Sequence, residues 1–539
     1  MNPIVAVSQK LFTARTLLRA GFVRPVRPDR LVRAGAALRR WGPTPAAGYA
    51  ASAARYPDAP AIVDELGVLT FADVHRRTNA LAHALRDAGI VEGDAIAILC
   101  RNHRGYIDAT VACSKLGVHA LYLNTAFAGP QIADVVGREH PAALIYDHEF
   151  EALVQAPGQG RRRFVAWHEP DAQPADRLLD DLIAAGAADD VVPPREKGRV
   201  IILTSGTTGT PKGARRRQPE TLDPVAALLS KIPLRSRGST LIAAPMFHSW
   251  GFAHFLLGVS LSSTLVIQRR FDPEATLLAL ARERASALVV VPVMLQRILE
   301  LGPEAIARHD LSALRVIAAS GSALPGELAL KVMERFGDVL YNLYGSTEVA
   351  WATIATPADL HAAPGTAGRP PRGTVVKLVD EHGEEVPAGT TGRIFVGNEM
   401  AIEGYTDGGG KQILGGLMSS GDVGHLDAEG RLFIDGRDDE MIVSGGENVF
   451  PREVEDLLAD HDAVDDVAVV GVDDAEFGQR LRAFVVAAAG HAPDEDQLKE
   501  HVRVHLARFK VPREIVFLDE LPRNATGKVV KRELRERDG

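Results

Sequence analysis

Hydroxyls, three glycines, a proline and a lysine fall together at Thr204-Ser205-Gly206-Thr207-Thr208-Gly209-Thr210-Pro211-Lys212-Gly213. Such a stretch can hold phosphate. Glycine lets backbone N–H groups come close to an anion, and successive N–H groups form a concave nest around it. The hydroxyls add donors, and Lys212 adds a compact positive charge. The apolar run Val200-Ile201-Ile202-Leu203 precedes the loop and predicts a buried strand that would aim it. A Walker A loop needs glycine directly before its lysine, and Pro211 stands there. That disfavours a P-loop kinase or ATPase. Taken alone, a hydroxyl–glycine loop suits a surface turn equally well.

Four further motifs follow in order. They are Asn342-Leu343-Tyr344-Gly345-Ser346-Thr347-Glu348, Ser420-Gly421-Asp422, Gly436-Arg437-Asp438-Asp439-Glu440-Met441-Ile442-Val443-Ser444-Gly445-Gly446-Glu447-Asn448, and Asn524-Ala525-Thr526-Gly527-Lys528. Together the five resemble the adenylate-forming superfamily of acyl-CoA synthetases, luciferases and nonribosomal-peptide adenylation domains. The resemblance covers residues 46–539, and motifs in register are far more specific than any one alone. Ser420 replaces the family's usual threonine and keeps the hydroxyl. After Gly213, Ala214-Arg215-Arg216-Arg217-Gln218-Pro219 departs from the family's Thr-His-containing segment; these arginines suit CoA phosphates or a solvated basic run.

The resemblance implies a reaction. A carboxylate is a poor electrophile, because it is already anionic and its leaving group would be oxide. Attack on the α-phosphorus of ATP expels pyrophosphate, and the resulting mixed anhydride passes its acyl group to the thiol of coenzyme A. ATP, Mg2+ and coenzyme A as co-substrate are therefore implied, with a small carboxylic acid as partner. Thr204, Ser205, Gly206, Thr207, Thr208, Gly209 and Lys212 would hold the β- and γ-phosphates. Thr347 would touch the α-phosphate and Glu348 would bind Mg2+, a hard cation that prefers oxygen. Gly321, Ser322, Ala323, Gly345 and Ser346 would border the nucleotide, with Tyr344 stacked on adenine and Asn342 on its amino group. Asp422 would accept from the ribose hydroxyls, helped by Arg437. Lys528 would stabilise the carboxylate and α-phosphate. Asp439 matches the hinge, and Ser444, Gly445 and Gly446 match the pantetheine tunnel. Outside the motifs each has an ordinary reading: Tyr344 as core, Asp422 as a turn residue, Arg437 as a surface ion pair, Lys528 as a solvated charge.

Ala244-Pro245-Met246-Phe247-His248-Ser249-Trp250-Gly251 matches the family's acid-site motif and would put His248 near the carboxylate. The run from Met246 to Phe255 holds no acid, so a substrate ammonium would be buried unpaired there, which argues against an α-amino acid. Phe252, Phe255, Ala319, Gly321, Ala323, Val349 and Ala350 are apolar or small. A medium- or long-chain fatty acid is expected, with an aryl or alicyclic acid as the alternative. Coenzyme A is inferred from the free-standing architecture. Leu414-Gly415-Gly416 approaches a carrier-protein serine motif, but Ser419 falls one residue too far along, which leaves loading of a separate carrier protein as the other acceptor. A catalytically inactive nucleotide-binding protein would have damaged motifs, yet Lys528, Glu348, Asp422 and Arg437 are all present.

These residues need a large scaffold. A chain of 539 residues exceeds one ordinary core. The expected fold is α/β: a basic extension (1–45), a large adenylation domain with α/β layers and a small β-rich subdomain (46–436), and a small mobile α+β domain (437–539). Residues 95–99 and 287–291 read as strands, 78–88 as helix, and 252–267 as a buried helix running into a strand. Residues 155–198 read as variable surface with a helix or two. Short strands are expected at 374–379 and 393–396, then 467–472 and 481–486, with a helix at 495–509. A net charge of −9 disfavours nucleic acid as partner. Cys100 and Cys113 lack metal-type spacing and read as inert core residues in a reducing cytoplasm. No run of 18 apolar residues or signal-peptide layout is present. The first 41 residues hold Lys10 and eight arginines against Asp29. Leu31, Ala34, Leu38 and Trp41 share a helical face there, and Asp29 is placed to cap it. This segment suits either docking on its own domain, the ordinary case, or peripheral contact with an anionic membrane. A homodimer is also compatible with the family.

Overall fold

The computed structural model describes residues 3–22, 24–204, 212–216, 221–406, 408–444, 447–474, 478–524 and 527–537. The chain opens with three helices, α1 (Pro3–Arg19), α2 (Pro28–Trp41) and α3 (Pro45–Arg55). Each begins at proline, whose fixed φ and missing N–H suit a helix start. Asp29 does not cap α2. Arg27 holds that position with Pro28 after it, so Asp29 falls in the first turn and bridges Arg27 (3.2 Å) and Arg33 (2.9 Å). The extension docks on its own domain: Thr13 bonds Asp223, Arg24 reaches the Ser236 carbonyl at 3.1 Å, and Arg40 reaches the Val191 carbonyl at 2.7 Å.

Two eight-stranded sheets form the body. The first has the order Thr353–Ala355, Leu340–Tyr344, Val316–Ala319, Ala287–Val290, Ser239–Ile242, Thr264–Ile267, Pro60–Asp64, Gly67–Thr70. Its interior strands are parallel, and Ala287–Val290 and Val316–Ala319 at its centre are buried along their whole length, as strands covered on both faces must be. The second runs Ile402–Tyr405, Lys212–Arg216, Val200–Thr204, His119–Tyr122, Ala95–Leu99, Ala143–Asp147, Arg162–Trp167, Arg177–Leu178. Val200–Thr204 is parallel to His119–Tyr122, and Lys212–Arg216 returns antiparallel with Lys212 opposite Thr204. The expected strands at 95–99 and 287–291 are present, as is the helix–strand pair in 252–267, now Ser249–Ser260 and Thr264–Ile267. The segment 155–198 is more ordered than its composition suggested. Phe164 and Val165 are buried and extend the second sheet, although the strand starts on two arginines.

A five-stranded antiparallel sheet follows, built on Val375–Val379, Gly392–Gly397, Leu417–Leu426 and Leu432–Arg437, so the β-rich region continues well past residue 397. The tail forms a sheet of its own around Val464–Asp474 and Gly478–Ala487. Pleat alternation splits its core: Val469 and Val485 face the helices Pro451–Ala459 and Glu495–His505, while Val470 and Phe484 pack with Leu521 and Leu534. The tail helix ends at His505, short of the expected 509, and a 3-10 turn follows.

Candidate active site

Strand ends and the tail converge on one cavity of about 1020 Å3. Val316–Ala319 and Leu340–Tyr344 are adjacent and parallel, and both turns that follow them reach the cavity, at Ser320-Gly321 and Gly345–Glu348. Ligands of open α/β sheets bind in this position, outside the carboxyl ends of the strands. Gly321 turns with φ +98, and a Cβ on Gly345 would collide with the Ala350 carbonyl. Lys212 comes from the other sheet, Lys411 and Arg437 from the β-rich region, and Lys528 from the tail. Four cations thus line one space, suited to a triphosphate.

The base of this space is a closed hydrogen-bond set. Asp422 and Arg437 are direct cross-strand partners, with Nε 3.7 Å from Oδ1. Tyr344 donates its hydroxyl to Asp422 at 2.5 Å. The Ser420 hydroxyl accepts from the Asp422 amide at 3.1 Å and donates to the Ile394 carbonyl, so serine here uses the oxygen that threonine would supply. Burial pushes the Asp422 carboxyl up, and Tyr344, Arg437, Lys528 and Lys411 pull it back. Asn342 is buried with its Oδ1 unpartnered, an acceptor suited to an exocyclic amine.

Glu348 is buried, and Tyr405 donates to its Oε1 at 2.6 Å. Ile402 donates its amide to the Glu348 carbonyl at 2.8 Å, so the strand Ile402–Tyr405 fixes both ends of this residue. Lys212 sits over the Tyr405 ring, 5.6 Å from its centroid. Thr347 shares a 3.1 Å hydrogen bond with Ser249, which starts the helix after His248. A buried, oriented carboxylate facing a polycationic cavity fits Mg2+, which takes one or two carboxylates plus substrate phosphates.

Lys528 lines the cavity and its side chain is exposed there. Burial lowers its ammonium pKa, against the raising effect of Asp422, Glu348 and Glu440. Its loop closes tightly on the body: Gly527 has φ +78, and a Cβ there would lie 2.5 Å from Val293. Asn524 Oδ1 accepts from the Lys528 amide at 3.0 Å, and Lys531 bonds Glu440 at 3.1 Å. His248 lines the cavity with Nε2 buried and unpartnered, and burial, then Lys528, pushes its pKa down to about 3. It is a neutral imidazole at physiological pH.

Residues 49–406 match the AMP-binding enzyme family, and residues 453–528 match the AMP-binding enzyme C-terminal domain. The chain belongs to the AMP-binding enzyme family. This AMP-binding enzyme is 34% identical to a feruloyl-CoA synthase from an Amycolatopsis species, over 90% of this chain and 96% of that one. It is 30% identical to a fatty acid–acyl-carrier-protein ligase from Streptomyces coeruleorubidus, over 89% and 94%. The o-succinylbenzoate CoA synthetase from Bacillus subtilis, solved with its acyl-adenylate, superposes with a TM-score of 0.80 at 25% identity, over 91% and 98%. The chain is thus an AMP-forming acid–thiol ligase that acts on a small-molecule acid, with ATP and coenzyme A as substrates.

In this AMP-binding enzyme the fold brings Lys212, Gly321, Gly345, Ser346, Thr347, Glu348, Arg437, His248 and Lys528 onto the same cavity. Tyr344 and Asp422 close on each other behind its lining, and Asn342, Ser322 and Ala323 do not line it. Ser205, Gly206, Thr207, Thr208, Gly209, Gly445 and Gly446 lie outside the described residues, as do the side chains of Thr204, Asp439 and Ser444. Sequence reasoning did not single out Tyr405, Ser249 or Lys411. Ser249 lay inside the acid-site motif; Tyr405, beside Gly404, and Lys411 carried no signal. Among the described residues one further group, Cys100, His103 and Asp147, could hold a metal. Both His103 nitrogens are engaged: Nδ1 accepts from the Gly105 amide at 3.1 Å and Nε2 donates to Asp147 at 2.7 Å. Burial raises the Cys100 thiol pKa well above its ordinary value. The group is a structural network, and the cysteines are inert core residues as expected. No helix among the described residues is long and apolar enough to cross a membrane.

Proposed function

We propose that the acid is a medium- or long-chain fatty acid, activated to its adenylate and transferred to coenzyme A. One observation carries this reading. The cavity lined by Lys528, Thr347 and His248 is lined also by an apolar set, Phe252, Leu256, Leu257, Leu228 and Leu38, which forms its acyl arm in this reading. A volume of about 1020 Å3 lies at the upper end of the range for small-molecule sites, leaving room beyond a nucleotide for a chain.

In this reading the acid's carboxylate lies beside the neutral His248, which does not compete for its charge. One carboxylate oxygen attacks the α-phosphorus of ATP, and pyrophosphate leaves. Lys528 offsets the charge that gathers on carboxylate and α-phosphate, and the Thr347 hydroxyl, held by Ser249, donates to the α-phosphate. Glu348, aimed by Tyr405, would hold Mg2+, which supplies charge neutralisation on the phosphates when bound. Asp422 would exchange its hydrogen bond from Tyr344 for the ribose, with Arg437 beside it, freeing that ring for adenine. The tail, from about residue 437, would then rotate at Asp439 to bring Ser444, Gly445 and Gly446 to the adenylate for thiol attack.

An aryl acid bearing a hydroxyl is the second reading, and His254 favours it. This buried histidine lines the arm; Nδ1 bonds the Trp250 carbonyl at 3.3 Å, and Nε2 has no partner. A phenol could donate to it, and the feruloyl-CoA synthase likeness points the same way. The test is product analysis by mass spectrometry with ATP, Mg2+, coenzyme A and a panel of straight-chain and aryl acids. Straight-chain acids giving the highest kcat/KM support the first reading; aryl acids leading overturns it.

A further inference from the structure

The cavity continues past the acid-site helix Ser249–Ser260 to the N-terminal extension, where Leu31, Ala34, Gly35 and Leu38 of α2 line it. These residues precede residue 49, where the match to the family begins. Leu31, Ala34 and Leu38 share the face of α2 that carries the buried Trp41, so they point toward the body. Ala34 is only 4% exposed, yet Leu31 and Leu38 are each 46% exposed. Both leucines keep open surface, and both line the cavity. Gly35 lines the cavity as well, and a Cβ built there would meet no atom within 4 Å. Glycine is a poor residue for a helix interior, so nothing in helix stability calls for it here. The helix is pinned at both ends, by Arg30 on the Arg55 carbonyl and Arg40 on the Val191 carbonyl.

We propose that α2 is the far wall of the acyl site, and that its Leu31–Leu38 stripe binds the distal methylenes of an aliphatic acid, with Gly35 leaving room for the chain end. The inference rests on reading the cavity arm as the acid site. Each methylene withdrawn from such a wall weakens binding about fourfold, taking roughly 0.8 kcal/mol per buried methylene.

The test compares kcat/KM along a series of straight-chain acids for the wild type, Gly35→Phe, Gly35→Ala and Leu38→Gln. Binding of the same acids without ATP is measured by calorimetry. Gly35→Phe should move the optimum to shorter acids, losing about tenfold or more on the longest, equivalent to two or more methylenes, and staying within about twofold on the shortest. Gly35→Ala improves helix propensity, so it should keep the fold and shift the profile in the same direction by less. Leu38→Gln should weaken long acids alone, and calorimetry should show each loss as lost binding. If the wild type takes long acids and all three soluble variants keep its profile, α2 is no part of the site and the fatty-acid reading survives. If the wild type turns over aryl acids only, both readings fall.

Discussion

Replacing Tyr405 by phenylalanine removes one hydroxyl and leaves the ring on which Lys212 rests. That hydroxyl donates to Glu348 Oε1 at 2.6 Å, and both residues are buried. A hydrogen bond to a charged group contributes about 1.5–3 kcal/mol, and its loss leaves the carboxylate short of a donor and free to turn. If the bond aims Glu348 at Mg2+, the variant loses that orientation. The Mg2+ concentration giving half-maximal adenylation should then rise by about one to two orders of magnitude, since 1.4 kcal/mol is a factor of ten. The KM for the acid should stay near wild type, because the lost hydroxyl bonds Glu348 and none of the apolar residues assigned to the acid. The assay is pyrophosphate release against free Mg2+ at saturating ATP and acid. An unchanged Mg2+ midpoint in a folded Tyr405→Phe protein would refute the reasoning, as would an effect confined to the acid's KM.

Three other outcomes are expected. Lys528→Ala should lower the adenylation rate by about 100- to 1000-fold, the usual loss for one preorganised charge-stabilising group, with ATP affinity largely kept; stopped-flow pyrophosphate release and nucleotide titration separate the two. His248 titrates at about 3 in the fold and near 6.5 when unfolded. The unfolded state therefore binds the extra proton between these values, and His248 removes stability as pH falls from 6.5 toward 3. Urea midpoints at pH 7 and pH 5 should consequently differ less in His248→Asn than in wild type, and an equal or larger difference counts against a neutral buried imidazole. Gly527→Ala should slow adenylation about tenfold, from roughly 1–2 kcal/mol for alanine at positive φ plus crowding against Val293. Rapid-quench measurement of adenylate formation checks it, and an unaltered rate would mean the tail closes some other way.

Local signals were legible in the sequence. Val200–Leu203 and Ala95–Leu99 are apolar runs long enough to declare buried strands, and the motifs around Glu348, Asp422 and Lys528 announced nucleotide chemistry before any geometry. What could not be read depends on distant partners. Tyr405 matters because it lies against Glu348, and Ser249 because it meets Thr347, contacts spanning 57 and 98 positions. Helix α3 went unnoticed because Ala46, Ala47, Ala50 and Ala51 show no clear apolar–polar period; they are small because α3 packs between neighbours. The strand at Arg162–Trp167 was hidden by its leading arginines, which form its less buried start while Phe164 and Val165 are buried. The Leu31–Trp41 face was visible, but that two of its leucines border a cavity depends on what the rest of the chain leaves unfilled.

The central claim is that a carboxylate oxygen becomes bonded to the α-phosphorus within this cavity. An acid labelled with oxygen-18 in its carboxylate, turned over with ATP and coenzyme A, tests it directly by mass spectrometry of the products. One labelled oxygen should appear in AMP, and the acyl-CoA should keep the other. Label in inorganic phosphate, with ADP as nucleotide product, would mean attack at the γ-phosphorus and would contradict the account.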